Sequence, residues 1–358
     1  MCEDRRVHLP ALPDLPAVSY VMPVLNEEGF LERAVRTILA QDYVGAKEIV
    51  LALGPSTDRS DAIAAALAEE DPRVRLVGNP DRDIPAGLNR AIAVSRHPIV
   101  VRVDAHSELT PDYTRLGVEI LGRERAANVG GVMRAAGDGD VQRAIARGYN
   151  SPYGLGGGAY HGDGAAGEAE SAYLGIFRRE AIEAVGGYDR EILRGEDWEL
   201  NLRIRRAGGR VWFSPALGVT YWPRASFADL ARQFFATGTW RAVLVRKYGR
   251  ANPWRFFAPG ALVLGLAVSA LALALLLAGV LPWASGWPVL LAPMAAYLVG
   301  IGVAVARIPA QHGPRDRMLT AATLVTMHLT WGAGFLRGIV FGGGRVFGRG
   351  RVVDRSRV

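Results

Sequence analysis

Residues 98–106 read Pro98-Ile99-Val100-Val101-Arg102-Val103-Asp104-Ala105-His106. A β-branched, largely apolar run of this length is a strand of a sheet interior, and this one closes on a carboxylate. A second such run, Val18–Leu25, closes on Asn26-Glu27-Glu28. Working outward, Glu48–Leu53, Val74–Val77, Asn128–Arg134 and Ala169–Phe177 read as further strands. Arg210–Phe213 and Val219–Trp222 read as short ones. Helical patterns lie between them at Glu28–Ala40, Asp58–Glu70, Gly87–Ser95, Arg178–Val185 and Glu196–Arg206. Strands alternating with helices predict an α/β fold with a mostly parallel sheet covered on both faces. Such sheets bind ligands at the carboxyl ends of their strands, which is where Asn26–Glu28 and Asp104–His106 fall. The glycine-rich stretch Gly148–Gly167 matches neither phosphate-loop spacing. It reads as a loop over a site, or as a plain surface loop.

Downstream the character changes. Phe227–Tyr248 is an amphipathic helical pattern. Phe256–Leu281 and Trp287–Val305 then contain no charged residue, and each is long enough to cross a hydrocarbon core of roughly 30 Å. A third segment, Leu319–Phe341, is interrupted by His328, Arg337 and several glycines, so two to three membrane helices are expected. Arg246, Lys247, Arg250 and Arg255 precede the first span, and Arg307, Arg315 and Arg317 follow the second. By the positive-inside rule both groups are cytoplasmic. A third full crossing would carry Arg345, Arg349, Arg351, Arg355 and Arg357 to the other side. The expected organisation is a tail over 1–16, a catalytic domain over 17–225, an interfacial helix region over 226–255, a membrane domain over 256–341 and a basic tail over 342–358.

Charge follows the same division. From Phe256 onward nine arginines face two acids, while residues 1–255 carry 33 basic and 33 acidic side chains. The high pI therefore belongs to the membrane-flanking part, where anionic lipid attracts it, and it excludes the basic groove of a nucleic-acid binder. The single cysteine, Cys2, excludes an internal disulfide. Together with the lack of a signal-like segment before residue 40, it leads us to expect a cytoplasmic catalytic domain at a cell membrane.

Three clusters can carry chemistry. In Asp104-Ala105-His106, residues i and i+2 of an extended segment point the same way and can converge on one cation. A mixed oxygen and nitrogen donor set suits Mn2+ better than Mg2+. The plainer alternative is an Asp-containing turn. Glu196-Asp197-Trp198-Glu199 puts three carboxylates in the first turn of a helix. Either they serve the helix dipole, or one of them is a general base for an acceptor hydroxyl, with Trp198 as an apolar wall. Pro23-Val24-Leu25-Asn26-Glu27-Glu28 is a strand running out into a helix start, again acidic in its first turn. Tyr221-Trp222-Pro223-Arg224 and Gln233 through Trp240-Arg241 add cations and aromatics just before the first span; an interfacial helix explains them equally.

The order P-V-L-N-E-E, G-P-S-T-D, D-A-H, G-E-D-W-E and Q-x₆-W-R resembles family 2 inverting glycosyltransferases of GT-A fold, and within them the succinoglycan-type, exopolysaccharide-building subgroup. The likeness covers residues 17–250, and the stretch from His328 through Trp331, Phe335 and Arg337 is similar to that subgroup's membrane region. It implies that Pro23 and Glu27 line the nucleotide's base and ribose and that Asp58 closes the second nucleotide-contact loop. Asp104 and His106 would hold metal and diphosphate. Asp197 would be the catalytic base, with Glu196, Trp198 and Glu199 around the acceptor, and Arg224, Gln233, Trp240 and Arg241 near the diphosphate or acceptor. The implied partners are a nucleoside-diphosphate sugar, a lipid-linked acceptor and membrane lipid. Leu53 stands where relatives carry an acid that contacts the base. Two other readings are a polyprenyl-phosphate sugar synthase and an inactive membrane scaffold.

Overall fold

The strands of the sheet order themselves by parity. In the computed structural model, which describes residues 9–155, 164–283, 286–309 and 313–342, Val18, Tyr20, Met22 and Val24 of strand β1 (Val18–Val24) pack into one buried cluster. Val21 between them joins a second cluster. Strand β2 (Lys47–Leu53) divides likewise, Ile49 and Leu51 to the first cluster and Val50 and Ala52 to the second. This alternation is what a strand buried on both faces must do. The glycines Gly156–Gly158 and the arginines Arg345, Arg349, Arg351, Arg355 and Arg357 of the sequence reading lie outside the described residues.

The remaining strands are β3 (Val74–Gly78), β4 (Ile99–Arg102), β5 (Ser107–Leu109), β6 (Asn128–Ala135), β7 (Gly167–Glu168), β8 (Tyr173–Arg178) and β9 (Val211–Tyr221). They form one sheet in the order β3-β2-β1-β4-β8-β6-β9-β5, with β7 also paired to β9. The β3-β2-β1-β4 half is parallel throughout. The other half mixes directions: β8 runs antiparallel to β4 and β6, and β5 antiparallel to β9. The parallel half is as predicted; β5 and β7 were not expected, and β9 is continuous where two short strands were expected. Its pairing with β6 shifts register between Gly130 and Val132, and that irregularity is the break seen in the pattern.

Helices α1 (Leu31–Leu39), α2 (Ser60–Glu70) and α4 (Tyr113–Arg123) flank one face. The other is covered by α3 (Ile84–Val94), α6 (Arg179–Ala184) and α7 (Glu196–Arg206). Sequence reasoning gave no helix at α4. Its Gly117 weakens the pattern; a Cβ there would lie 1.9 Å from Ile176 Cδ1, so a larger residue would make the Ile176 side chain move.

The described residues divide into two compact units, one of residues 9–136 and 164–222, the other of 137–155 and 223–342. The second is wholly helical: α5 (Asp140–Asn150), α8 (Phe227–Tyr248), α9 (Ala258–Leu277), α10 (Ala292–Arg307) and α11 (Pro314–Phe341). Residues 137–155, placed in the catalytic domain by the sequence reading, thus group with these helices. Three segments, Ala258–Leu277, Trp287–Arg307 and Pro314–Phe341, are long and apolar enough to cross a membrane. Leu264, Val268, Leu271, Leu298 and Val299 are exposed on them, as lipid-facing side chains would be. Their contacts rely on small residues. A Cβ on Gly238 of α8 would meet Trp331 O of α11 at 2.0 Å, and one on Gly334 would meet Phe235 O at 2.0 Å. That is the close backbone approach by which helices pack in lipid. Polar pairs add specificity: Arg147 of α5 meets Asp316 of α11 at 3.1 Å, and His328 Nε2 lies 2.7 Å from Tyr153 O. A carbonyl only accepts, so Nε2 carries the proton and His328 Nδ1 accepts from the Tyr297 hydroxyl at 3.2 Å.

Candidate active site

The first unit gathers its polar residues where β1, β2 and β4 run out. After β1 the chain turns through Asn26, whose φ of 56° lies in the left-handed region that asparagine tolerates better than most residues. Asn26 Oδ1 accepts from Thr57 N at 2.7 Å, and Glu27 N donates to Ser60 Oγ at 2.7 Å. Asp58 completes the interlock, accepting from Ser60 N at 2.9 Å and from Glu28 N at 3.1 Å. The loops after β1 and β2 are thereby stitched together, and Asp58 is committed to that stitching. A cleft beside them is lined by Pro23, Leu25, Asn79, Arg82, Asp83 and Ile84. Leu53 is half-buried against the core at the end of β2, and its carbonyl accepts from Asn79 N at 2.7 Å.

Asp104 and His106 follow β4. His106 Nδ1 lies 3.2 Å from Glu27 Oε1, and Glu27 is buried. The imidazole also stands edge-on to Tyr221, ring centroids 5.4 Å apart. Glu27, expected on the ribose, has its carboxylate on His106. Among the described residues no group of three or more His, Cys, Asp or Glu converges as a metal cluster; Asp104 and His106 are two donors, not three.

Arg102 organises the centre, and sequence reasoning did not single it out. Its side chain is 5% exposed. Nη2 meets Asp104 Oδ1 at 3.1 Å and Glu196 Oε1 at 3.0 Å, while Nη1 is bonded to Asp197 Oδ1. Burial alone would favour the neutral guanidine. The carboxylates of Asp197, Asp104 and Glu196 outweigh it and hold the group charged, its pKa well above the ordinary value. The signal was available: Val100 faces the α7 side of the sheet, so Arg102, two residues on, must face it too.

Helix α7 starts at Gly195, which adopts φ 79° and so is free to turn the chain into the helix. Its first turn splits in function. Glu199 is fully buried and spends both oxygens on Arg203, each at 2.6 Å. Trp198 is buried as well. Asp197 keeps 24% of its side-chain surface, and it is the carboxylate that stays accessible. Burial pushes its pKa up to about 7, with Glu196 and Asp104 adding to the rise and Arg102 opposing it. The Tyr188 hydroxyl donates to Asp197 Oδ1 at 3.5 Å. Asn89 fixes Tyr188 by a double hydrogen bond to its backbone, 2.8 Å each way. The structure thus brings Asp104, Glu196 and Asp197 together around Arg102, and His106 together with Glu27.

Arg224, Gln233, Trp240 and Arg241 belong to the second unit. Trp240 is buried, and Arg241 stacks its guanidinium 4.0 Å over Phe256. This accounts for those two through packing of α8 and the turn before α9.

A mixed sheet of this order, with an Asp-x-His pair after one central strand and a partly exposed carboxylate on a facing helix, is the arrangement of a GT-A fold. The glycosyl transferase family 2 model matches residues 19–186. Succinoglycan biosynthesis protein ExoA of Rhizobium meliloti is 36% identical over 88% of this chain and 93% of its own. The chain belongs to glycosyl transferase family 2 and is an enzyme of glycosyl transfer. A Methanococcus voltae protein, dolichyl N-acetyl-alpha-D-glucosaminyl phosphate 3-beta-D-2,3-diacetamido-2,3-dideoxy-beta-D-glucuronosyltransferase, is 22% identical over 64% of this chain and 74% of its own. Among solved structures, mannosyltransferase PcManGT from Pyrobaculum calidifontis, in complex with GDP-Man and Mn2+, superposes with a TM-score of 0.61. It is 22% identical, covering 92% of this chain and 90% of that one, and shows the shared fold.

Proposed function

We propose that the enzyme moves a sugar, with inversion, from a nucleoside-diphosphate sugar to a hydroxyl of a lipid-linked saccharide at the cytoplasmic face of a membrane. The observation that carries this reading is Asp197. It is a partly exposed carboxylate pushed up to about 7, tied through Arg102 to the carboxylate after β4. A general base is most effective when its pKa lies near the working pH. In this reading Asp197 takes the proton from the acceptor hydroxyl as that oxygen bonds to the anomeric carbon. The bond from that carbon to the diphosphate oxygen breaks on the opposite side, which inverts the centre. Glu199, spent on Arg203, is not available for the task, and Glu196 shares Arg102 at lower exposure.

Asp104 and His106 fit a divalent cation. Glu27 at Nδ1 fixes the His106 ring and leaves Nε2 as the ligating atom, and the oxygen–nitrogen donor set suits Mn2+ over Mg2+. A bound cation would neutralise the departing diphosphate. The cleft beside Pro23 takes the nucleobase, with Leu25 and Ile84 offering apolar edges. The Mn2+ and GDP-Man in the Pyrobaculum complex support the donor reading, and the dolichyl-linked substrate in the Methanococcus relative's name supports a lipid-linked acceptor. Arg246, Lys247, Arg250 and Arg255 before the first span support the cytoplasmic orientation.

Calorimetric titration of the detergent-purified protein with UDP, GDP, CDP and ADP, with Mn2+ or with EDTA, tests the donor site. One nucleotide is expected to bind in a metal-dependent way, and Asp104→Ala to abolish that dependence. Binding of no nucleotide, or binding indifferent to both metal and Asp104, rules the reading out.

A further inference from the structure

Arg102 is bound to residues of two different elements. Asp104 lies on its own chain run, two residues beyond the end of β4, so the sheet already fixes where Asp104 stands. Glu196 and Asp197 lie on the first turn of α7, more than ninety residues on. Of α7's anchors, Leu200 and Ile204 are apolar and set its distance from the sheet. Asn201 accepts from Asn128 Nδ2 at 2.8 Å and donates to Ser171 Oγ at 3.1 Å, which pins its middle. At the first turn, where glycine begins the helix without a side-chain cap, the guanidinium holds both Glu196 and Asp197, and the Tyr188 hydroxyl adds a longer contact to Asp197.

We infer that Arg102 is a positioning residue for glycosyl transfer: its planar fork sets the base Asp197 against Asp104, so that acceptor activation and donor binding share one rigid reference. This rests on the reading of Asp197 as base. Three features support it. The guanidinium is nearly inaccessible and so is poorly placed to touch substrate. It meets the two α7 carboxylates through separate nitrogens, and a fork is what aligns two acceptors at once. The pocket also holds three carboxylates against one guanidinium, so the arrangement is not charge-balanced as a purely structural ion pair would be. Removing Arg102's grip on α7 would leave Asp104 fixed just beyond β4 and Asp197 with the long Tyr188 contact in place of a short charged one.

The test is R102K. Lysine keeps the buried charge but, as a point charge, cannot hold the two α7 carboxylates in fixed directions. The expected result is a fall in kcat of about 10²-fold, the cost of misplacing a reacting group by about an ångström. Donor KM and calorimetric nucleotide affinity with Mn2+ should stay within about threefold, and Tm near wild type. Against a D197N background the same substitution is expected to change residual turnover by less than about threefold, because residues that act as one unit do not add. Near-wild-type kcat in R102K overturns the inference. So does loss of nucleotide affinity in step with kcat, or an effect that multiplies fully with D197N, since Arg102 would then act through the fold or the donor site. Full activity in D197N alone is a separate failure, that of the base reading. Should R102K not fold, E196A removes one α7 anchor and leaves the guanidinium on Asp104 and Asp197. It is expected to lower kcat about tenfold with affinity kept, and an unchanged kcat overturns the inference.

Discussion

The two ends of the parallel strands each bury a carboxylate, and they treat it in opposite ways. At the amino end, Glu48 accepts from Ser19 Oγ at 2.7 Å, from Arg96 N at 2.6 Å and from Arg75 Nη1 at 2.7 Å. Burial alone would raise its pKa, but these donors outweigh it and hold it below the ordinary value. At the carboxyl end, Asp197 is desolvated too, yet it shares one guanidinium with two further carboxylates and is pushed up to about 7. A buried acid surrounded by donors is a structural tie, with no reason to change protonation near neutrality. An acid left in a pocket short of positive charge is poised to take a proton or a cation, the behaviour that catalysis needs. Helix α7 repeats the contrast within one turn, with Glu199 closed on Arg203 and Asp197 left open.

The comparison can be broken in order of effect. Asp197 works as a base only when ionised, so its ordinary value of 3.8 raised to about 7 places the acid limb of activity near neutrality. The kcat/KM is expected to fall about tenfold per pH unit below that limb, roughly a hundredfold by pH 5. An acid limb near pH 4 would mean that the pocket does not hold Asp197 as described. Glu48→Gln is the converse experiment. It should cost about 2 kcal/mol of stability, the scale of hydrogen bonds to a charged group, read as a lowered Tm, with kcat of the folded protein unchanged. The pKa shift of Glu48 is opposite in sign to that of Asp197. A depressed carboxylate contributes stability above its unfolded value, 4.5, and loses it as pH falls through the lower folded value. The Tm gap between Glu48→Gln and wild type should therefore narrow on acidification. A gap that widens toward low pH would contradict the assignment of Glu48 as a satisfied tie.

The longer strands, most amphipathic helices and the apolar spans were legible because each has a period or an uninterrupted run, whereas β5 and β7, three and two residues long, show neither. The pattern of α7 gave Glu196–Arg206 and that of α8 gave Phe227–Tyr248, the bounds observed. Helices α4 and α5 were not legible, since Gly117 and Gly148 dilute their patterns; a Cβ on Gly148 would stand 2.7 Å from Thr323 Cγ2. Only the assembled packing shows why glycine sits there. Of the site, the motif acids stood out by their places at strand and helix ends. Arg102 did not, because inside Ile99–Val103 it reads as a flaw in an apolar strand. Its meaning depends on α7, which no local pattern brings to β4. Glu27 was read for the nucleotide and meets His106, a contact across 79 residues that local sequence cannot reveal.

The account turns on Asp197 being the base. Asp197→Asn keeps the side chain's shape and a hydrogen-bond acceptor for Arg102 while removing the proton-accepting charge. Turnover of donor and lipid-linked acceptor by this variant, measured beside calorimetric nucleotide affinity, is the most direct measurement. A loss of about 10²–10⁴-fold in kcat with affinity unchanged is the predicted result. Turnover close to wild type would contradict the account and would assign acceptor activation to some other group.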